Sequence, residues 1–329
     1  MGQSMSYLGY ATAAYMTYSA VHLLRCMLSD CDLATAAVKM PPDAFKDKVI
    51  WITGASSGIG RAIAVEASKQ GAKLVLSSRR KEVLEEVASE LPATTGSVLV
   101  LPLDLAKHES HAEATKKVLQ EFGDIDMLVN CGGVCTVAFH ETTSLQVDSQ
   151  VMDVDFLGAV SLTKCVLPTL KAKRSGKIVN IVSLGAKLGM PCRTSYCAAK
   201  AALASFFTAL RFELIKDNVQ VTQIYPGSVK TNIVKSGLTG DGKVVGGRMD
   251  HIELAVDKGL PPSRAADRIL AAAYKGIEES WIYANAFEFM FMFMSNSNSS
   301  SPTPPKMLNE QLKKQTDVMR GKISSMKTE

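Results

Sequence analysis

The chain supplies no recognisable metal or disulfide framework. Its seven cysteines, Cys26, Cys31, Cys131, Cys135, Cys165, Cys192 and Cys197, are odd in number and scattered, with no closely spaced Cys-x-x-Cys pairs. That pattern supports neither zinc nor disulfide staples. A long basic block is also missing. Lys and Arg number 37 against 32 Asp and Glu, leaving a net charge of +5 over 329 residues. This mild balance implies a solvated surface and does not call for nucleic acid as a partner. No internal repeat or second glycine cradle is present. What remains is 47% hydrophobic, enough to bury one sizeable core, and a single domain of about 250 residues with tails fits better than two domains.

Strand-like apolar runs alternate with amphipathic stretches, the pattern of repeated βαβ units. Strands are predicted near 48–53, 73–78, 97–102, 126–130, 176–182, 219–225 and 280–283. Long helices are predicted near 58–70, 80–91, 108–122, 145–171 and 194–216. The expected fold class is α/β: a doubly wound parallel sheet of about seven strands with helices on both faces.

The run Lys48-Val49-Ile50-Trp51-Ile52 leads directly into Thr53-Gly54-Ala55-Ser56-Ser57-Gly58-Ile59-Gly60, and a helical pattern follows. Strand, glycine turn and helix start form a dinucleotide cradle. Glycines let the backbone approach a pyrophosphate, and free N–H groups at a helix N-terminus attract its charge. Further on, Ser195-Tyr196-Cys197-Ala198-Ala199-Lys200 sets a tyrosine and a lysine one helical turn apart. Side chains at i and i+4 share a helix face, so an ammonium there favours the tyrosinate. Tyrosine ordinarily titrates near pH ~10, so use as a general acid near neutrality asks for roughly 4 kcal/mol of electrostatic help. A tyrosine and lysine at this spacing also occur on many surface helices, so the pair gains meaning only from its neighbours.

Gly54, Gly58 and Gly60, the Tyr196/Lys200 pair, and Ser183 thirteen residues before Tyr196 together resemble the short-chain dehydrogenase/reductase family. The match extends through Asp104 in Leu103-Asp104-Leu105, Asn130 in Leu128-Val129-Asn130-Cys131-Gly132-Gly133, and Pro226-Gly227-Ser228-Val229-Lys230-Thr231. It covers residues 46–234 well and 235–283 loosely. The runs Val118 to Gly123 and Ser161 to Pro168 point to one branch of the family.

The resemblance implies a Rossmann-type domain over 46–294, flanked by an N-terminal anchor or interfacial segment at 1–45 and a linker with a basic tail at 295–329. It implies that Tyr196 exchanges a proton with the carbonyl or alcohol oxygen, that Ser183 hydrogen-bonds the same oxygen, and that Lys200 lowers the tyrosine pKa and holds the nicotinamide ribose. The coenzyme-binding set it implies comprises Gly54, Ser56, Ser57, Gly58, Ile59, Gly60, Ser78, Arg79, Arg80, Asp104, Leu105, Asn130, Tyr196, Lys200, Pro226, Gly227, Val229 and Thr231. Ser78 stands where NAD-using members carry aspartate, and Arg79 follows with donors suited to a phosphate, so NADP(H) is the expected coenzyme. Asp104 is expected at the adenine edge, with a local turn cap as its alternative role.

Two residues depart from the family pattern. Asp155, in Met152-Asp153-Val154-Asp155-Phe156, replaces the asparagine of the catalytic tetrad, and its charge would offset part of the effect of Lys200 on Tyr196. Cys131 replaces an asparagine whose amide would brace the central strands. The Gly-rich stretch from Lys235 to Arg248 is expected to form a mobile lid over substrate. Val134, Cys135, Gly185, Ala186, Cys192 and Arg193 are expected on the opposing wall. A lipophilic ketone, aldehyde or alcohol of steroid or retinoid type is the expected substrate, and pairing of the helices expected at 145–171 and 194–216 is expected to make a homodimer. The alternative is an NADP-binding scaffold or sensor with weak turnover.

The tails raise the question of a membrane. Residues 7–21 carry no charge, and the apolar pattern continues to Leu28 despite His22 and Arg25. A spanning helix needs about 20 mainly apolar residues, so this is a marginal span, with an interfacial helix as the other reading. Without a preceding basic region a cleaved signal peptide is disfavoured. Met1-Gly2-Gln3-Ser4-Met5-Ser6 fits the short myristoylation pattern. Phe287 to Met294 is apolar but too short to span. The resemblance adds residence at the endoplasmic reticulum membrane.

Overall fold

A computed structural model describes residues 30–92, 96–246 and 258–284, together with Met16, Thr17, Val21, Glu288 and Asp317. Seven strands form one sheet: β1 Val49–Thr53, β2 Lys73–Ser77, β3 Val98–Val100, β4 Met127–Asn130, β5 Gly176–Ile181, β6 Val219–Pro226 and β7 Glu279–Ile282. Their order is β3-β2-β1-β4-β5-β6-β7, and every neighbouring pair is parallel. Parallel neighbours need crossovers, and helices supply them. They are α2 Gly58–Ser68, α3 Lys81–Ser89, α4 His111–Phe122, α5 Leu145–Met152, α6 Gly158–Ala172, α7 Thr194–Glu213 and α8 Pro262–Lys275, preceded by a one-turn α1 at Leu33–Ala36.

The strands are mainly apolar because both faces are covered. Alternate residues of each strand enter separate cores, as the pleat requires. Ile50, Ile52, Leu74, Leu76, Met127 and Val129 pack with Ile63 of α2, Leu84 of α3 and Ile269 of α8. Val49, Trp51, Val75, Leu128 and Ile178 pack with Val118 of α4, Leu162 of α6 and Phe207 of α7. Each fully buried aliphatic side chain contributes about 1.5–3 kcal/mol. A charged substitution in a central strand would therefore disrupt a core whichever way it pointed.

Two elements differ from the sequence expectation. The expected single helix over 145–171 is interrupted at Asp153–Leu157 by a π-helical turn that carries Asp155. Such turns widen a helix by one residue and recur at functional sites. Helix α8 was not among the long helices expected, although Pro262 at its start and Gly276 in the left-handed conformation just beyond its end are start and stop signals.

Residues 30–37 are stitched to the β7 edge. Cys31 pairs antiparallel with Ile282, and the carboxylate of Asp32 accepts from Trp281 N at 2.8 Å, Ser280 Oγ at 3.0 Å and Thr35 N at 2.9 Å. Asp30 is held by Arg264 and by Arg268, the latter at 2.7 Å. The edge strand is thereby covered. Among the described residues no helix is long and apolar enough to cross a membrane. The expected segment at 7–28 apart from Met16, Thr17 and Val21, the apolar run at 287–294 apart from Glu288, and the tail at 295–329 apart from Asp317 lie outside the described residues.

Candidate active site

Strand order reverses between β1 and β4, which opens a crevice at the C-terminal ends of the strands, the usual ligand position in an open parallel sheet. The glycine turn lies there. Gly54 (φ +68°) and Gly58 (φ +56°) are left-handed, a region costly for other residues. A Cβ on Gly54 would stand 2.8 Å from Gly132 Cα, and one on Gly60 would collide with the Gly54 carbonyl. Ser57 begins α2 in an extended conformation without a side-chain cap, so the first N–H groups of the helix are not taken up by it. A Cβ on Gly58 would stand 3.0 Å from Thr231 Cγ2, so the Pro226–Thr231 segment closes the far side of the cradle. These close approaches leave room for a bulky anion beside donor-rich backbone, and the residues present fit a dinucleotide.

Beside the cradle, Arg80 donates through Nη2 to Ser56 Oγ at 2.9 Å, and its backbone N–H donates to Ser78 Oγ at 3.2 Å. Arg79 is exposed. Asp104 accepts from Ala106 N at 3.1 Å, so the alternative role of turn cap is present, with the residue still partly open to solvent. Leu105 packs where added Cβ atoms on Gly132 or Gly158 would collide. Asn130 braces the interior, donating to Asn180 Oδ1 at 2.9 Å and to Thr163 Oγ1 at 3.2 Å. The backbone N–H groups of Cys131 and Gly132 both donate to Thr53 Oγ1 at 3.0 Å. Sequence reasoning missed Thr53 and the Arg80–Ser56 contact, because neither partner signals the other locally.

Across the crevice, α7 brings Tyr196 and Lys200 to one face, with Lys200 Nζ 5.7 Å from the Tyr196 ring centroid. Ser183, just beyond β5, accepts from Gly185 N at 3.0 Å, and its hydroxyl lies near enough to the Tyr196 phenol to favour the phenolate. Asp155 lies 3.2 Å from Lys200 Nζ, with side-chain exposures of 0% and 5%. Its other oxygen accepts from Val134 N at 2.6 Å, and Lys200 also donates to Ile181 O at 3.2 Å. All four expected catalytic side chains therefore meet.

Their electrostatics differ from the simple expectation. Burial pushes the Tyr196 phenol above its ordinary value, and Asp155 adds to that, outweighing the downward pull of Lys200 and Ser183. Lys200 acts in the expected direction but does not win. Burial alone would lower the Lys200 pKa, yet Asp155 and Tyr196 raise it overall, so the ammonium persists. Burial raises the Asp155 pKa despite the lysine.

Residues 48–240 match the family model for short chain dehydrogenases. The chain belongs to the short-chain dehydrogenase family. The family's oxidoreductases use a nicotinamide coenzyme. The human protein named dehydrogenase/reductase SDR family member 7 is 40% identical over 277 residues, 81% of this chain and 80% of that one, in line with the branch that the runs at 118–123 and 161–168 indicated. Among solved structures, an alcohol dehydrogenase from the archaeon Thermococcus sibiricus complexed with 5-hydroxy-NADP is 28% identical with a TM-score of 0.61, covering 73% of this chain and 97% of that one. A short-chain dehydrogenase from Streptomyces avermitilis gives a TM-score of 0.66 at 26% identity, covering 84% and 99%.

In this short-chain dehydrogenase an apolar wall surrounds the phenol. Tyr196 packs with Cys135, Val137, Val234 and Val245, and Met190, Cys197 and Ile233 lie against them. Of the expected wall, Cys135 is in this group. Gly185 approaches Met190, Ser183 and Cys197 closely, and Arg193 reaches Cys135 Sγ at 3.8 Å. Cys192 is buried in a left-handed conformation (φ +62°). The Gly-rich segment, described as far as Gly246, is tied down where a loose lid was expected. Leu238 N donates to Cys135 O at 2.8 Å, Val137 N to Leu238 O at 2.8 Å, and Val245 N to Gly237 O at 2.9 Å. The apolar side chains of Leu238 and Val245 hold it inward, a signal visible as valines and leucine among the glycines.

Proposed function

We propose that this chain is an NADP(H)-dependent oxidoreductase that interconverts a lipophilic carbonyl compound and its alcohol at a membrane of the endoplasmic reticulum. The observation that carries the reading is the buried Tyr196 phenol, set beside Ser183 and Lys200 and walled by Val137, Val234, Val245 and Met190. Apolar walls with a few converging polar groups suit a hydrophobic substrate. Bound nicotinamide would supply or accept hydride at the substrate carbon. Ser183 hydrogen-bonds the substrate oxygen and steadies its developing charge, and Tyr196 delivers or removes the proton on that oxygen. Lys200 is held protonated by Asp155 and keeps positive charge beside the phenol.

For the coenzyme, the Gly54–Gly60 turn would hold the pyrophosphate. Arg80, folded onto Ser56, and the exposed Arg79 would receive the 2′-phosphate, with no acid at Ser78 to favour NAD. Leu157 and Phe212, 40% and 63% exposed on the α5–α6 and α7 assemblies, support a homodimer formed through those helices.

The test is NADPH oxidation by the full chain in mild detergent against steroid, retinoid and quinone carbonyls, with NADH and Tyr196→Phe as controls. NADPH-specific turnover that disappears in Tyr196→Phe is the expected result. Tight NADPH binding without tyrosine-dependent turnover would favour the scaffold, and equal use of NADH would overturn the assignment of Arg79 and Arg80.

A further inference from the structure

The Pro226–Thr231 segment is fastened from three directions. Gly227 N donates to Ile282 O of β7 at 2.7 Å. Ser228 O accepts from Leu260 N at 2.8 Å, and Lys230 N donates to Leu260 O at 3.0 Å. The third fastening comes from beyond the last strand, where Glu288 is 8% exposed and turned onto the segment. One of its carboxylate oxygens accepts from Ser228 N at 2.9 Å, and the other accepts from Ala284 N at 2.7 Å. A Cβ on Gly227 would collide with that carboxylate, so the glycine permits the approach.

From this arrangement we infer that Glu288 is a positioning residue for the coenzyme: it latches the chain after β7 to the turn that sets Val229 and Thr231 against the dinucleotide cradle. The inference rests on the coenzyme reading proposed above. The path is short. Ser228 precedes Val229, which is buried and bridges to Leu260, and Thr231 follows two residues later with its methyl group against Gly58. The choice of glutamate follows from its partners, since both are N–H donors and a carboxylate presents an acceptor to each. Glutamine has one acceptor oxygen and would turn an NH₂ group towards the second donor, leaving a half-buried N–H unmatched. Charge-assisted bonds of this kind are roughly twice as strong as neutral ones.

The test uses the full chain in detergent with Glu288→Gln beside wild type. NADPH dissociation constants are read by quenching of intrinsic fluorescence, KM for NADPH is measured separately from kcat, and the melting temperature is taken without coenzyme. The expected result is about a tenfold rise in both the NADPH dissociation constant and its KM, the scale of one lost charge-assisted hydrogen bond, with kcat changed less than twofold. A dissociation constant within twofold of wild type, even with a lowered melting temperature, would make Glu288 a fold clamp only and overturn the inference. Should Glu288→Gln fail to fold, hydrogen exchange on wild type decides: a protected Ser228 amide supports the latch, and exchange at the free-chain rate overturns it. Failure of wild type to bind NADPH would overturn the coenzyme reading itself, an outcome distinct from normal wild-type binding with an unaffected variant.

Discussion

The two sides of the crevice are built from different materials. The cradle side is mostly backbone, with glycines in left-handed or crowded positions, a helix start and one arginine folded onto one serine. The α7 side is mostly side chains, with a buried ion pair, a phenol and a wall of apolar residues brought in from three separate loops. Backbone geometry tolerates little variation and so leaves a fixed residue pattern. A side-chain site depends on what surrounds each charge, and the same residue types behave differently when one neighbour changes. Lys200 illustrates this, because the lysine expected to lower the phenol pKa is itself engaged by Asp155.

The strongest test of this contrast separates the two sides by function. Tyr196→Phe is expected to lower kcat/KM by roughly 10³-fold, within the range for loss of a general acid, while weakening NADPH binding far less, since only the phenol oxygen is removed. Coenzyme binding lost together with turnover would show that the sides are not independent. The converse variant is Gly60→Ala, whose methyl group must displace the Gly54 carbonyl. Overpacking of this kind costs about 1–3 kcal/mol, so NADPH affinity is expected to fall by about one to two orders of magnitude. Unchanged affinity by titration would mean that the turn can yield.

Asp155→Asn sharpens the comparison on the side-chain half. Asp155 contributes to the raised phenol pKa, so its removal lowers that pKa. Reduction uses the protonated phenol and is lost as pH rises through the phenol pKa. The basic limb of kcat/KM against pH should therefore move to lower pH. An unmoved limb would show that the carboxylate has no electrostatic hold on Tyr196.

The smallest effect is expected away from both sides, at Asp126 before β4. Its carboxylate accepts from Val49 N at 2.9 Å and pairs with Lys173 at 3.2 Å and Lys48 at 3.4 Å. Burial alone would raise its pKa, but the Val49 N–H and the two lysines hold it below the ordinary value. The stability it contributes is therefore present above the unfolded carboxylate pKa and is lost as pH falls through the lower folded value. Asp126→Asn should cost about 1 kcal/mol at pH 7 and less at pH 3, measured by urea unfolding, with kinetic constants unchanged. A pH-independent loss would contradict this assignment.

Legibility followed the same division. Strands β1 to β7 were readable as short, mainly apolar runs between helical patterns, and burial on both faces keeps the central β1 and β4 free of charge. The Tyr196–Lys200 pair was readable because four residues along a helix is a fixed distance. The π-helical turn at Asp153–Leu157 was not, since its residues also suit an ordinary helix. The anchoring of the Gly-rich segment was hidden because glycine content signals permissiveness, whereas the hold comes from Leu238 meeting Cys135 and Val137 far away in sequence.

By itself the sequence determined the alternation of strands and helices, the glycine cradle and the register of Ser183, Tyr196 and Lys200. All of these depend on local periodicity or on conformations that few residues can adopt. Tertiary structure alone decided that Asp155 meets Lys200, that Arg80 lies on Ser56 and that Glu288 reaches Ser228. It also decided the direction of each pKa shift in the site. The physical reason is that charge energetics depend on burial and on partners across space, and burial exists only once distant segments have packed together.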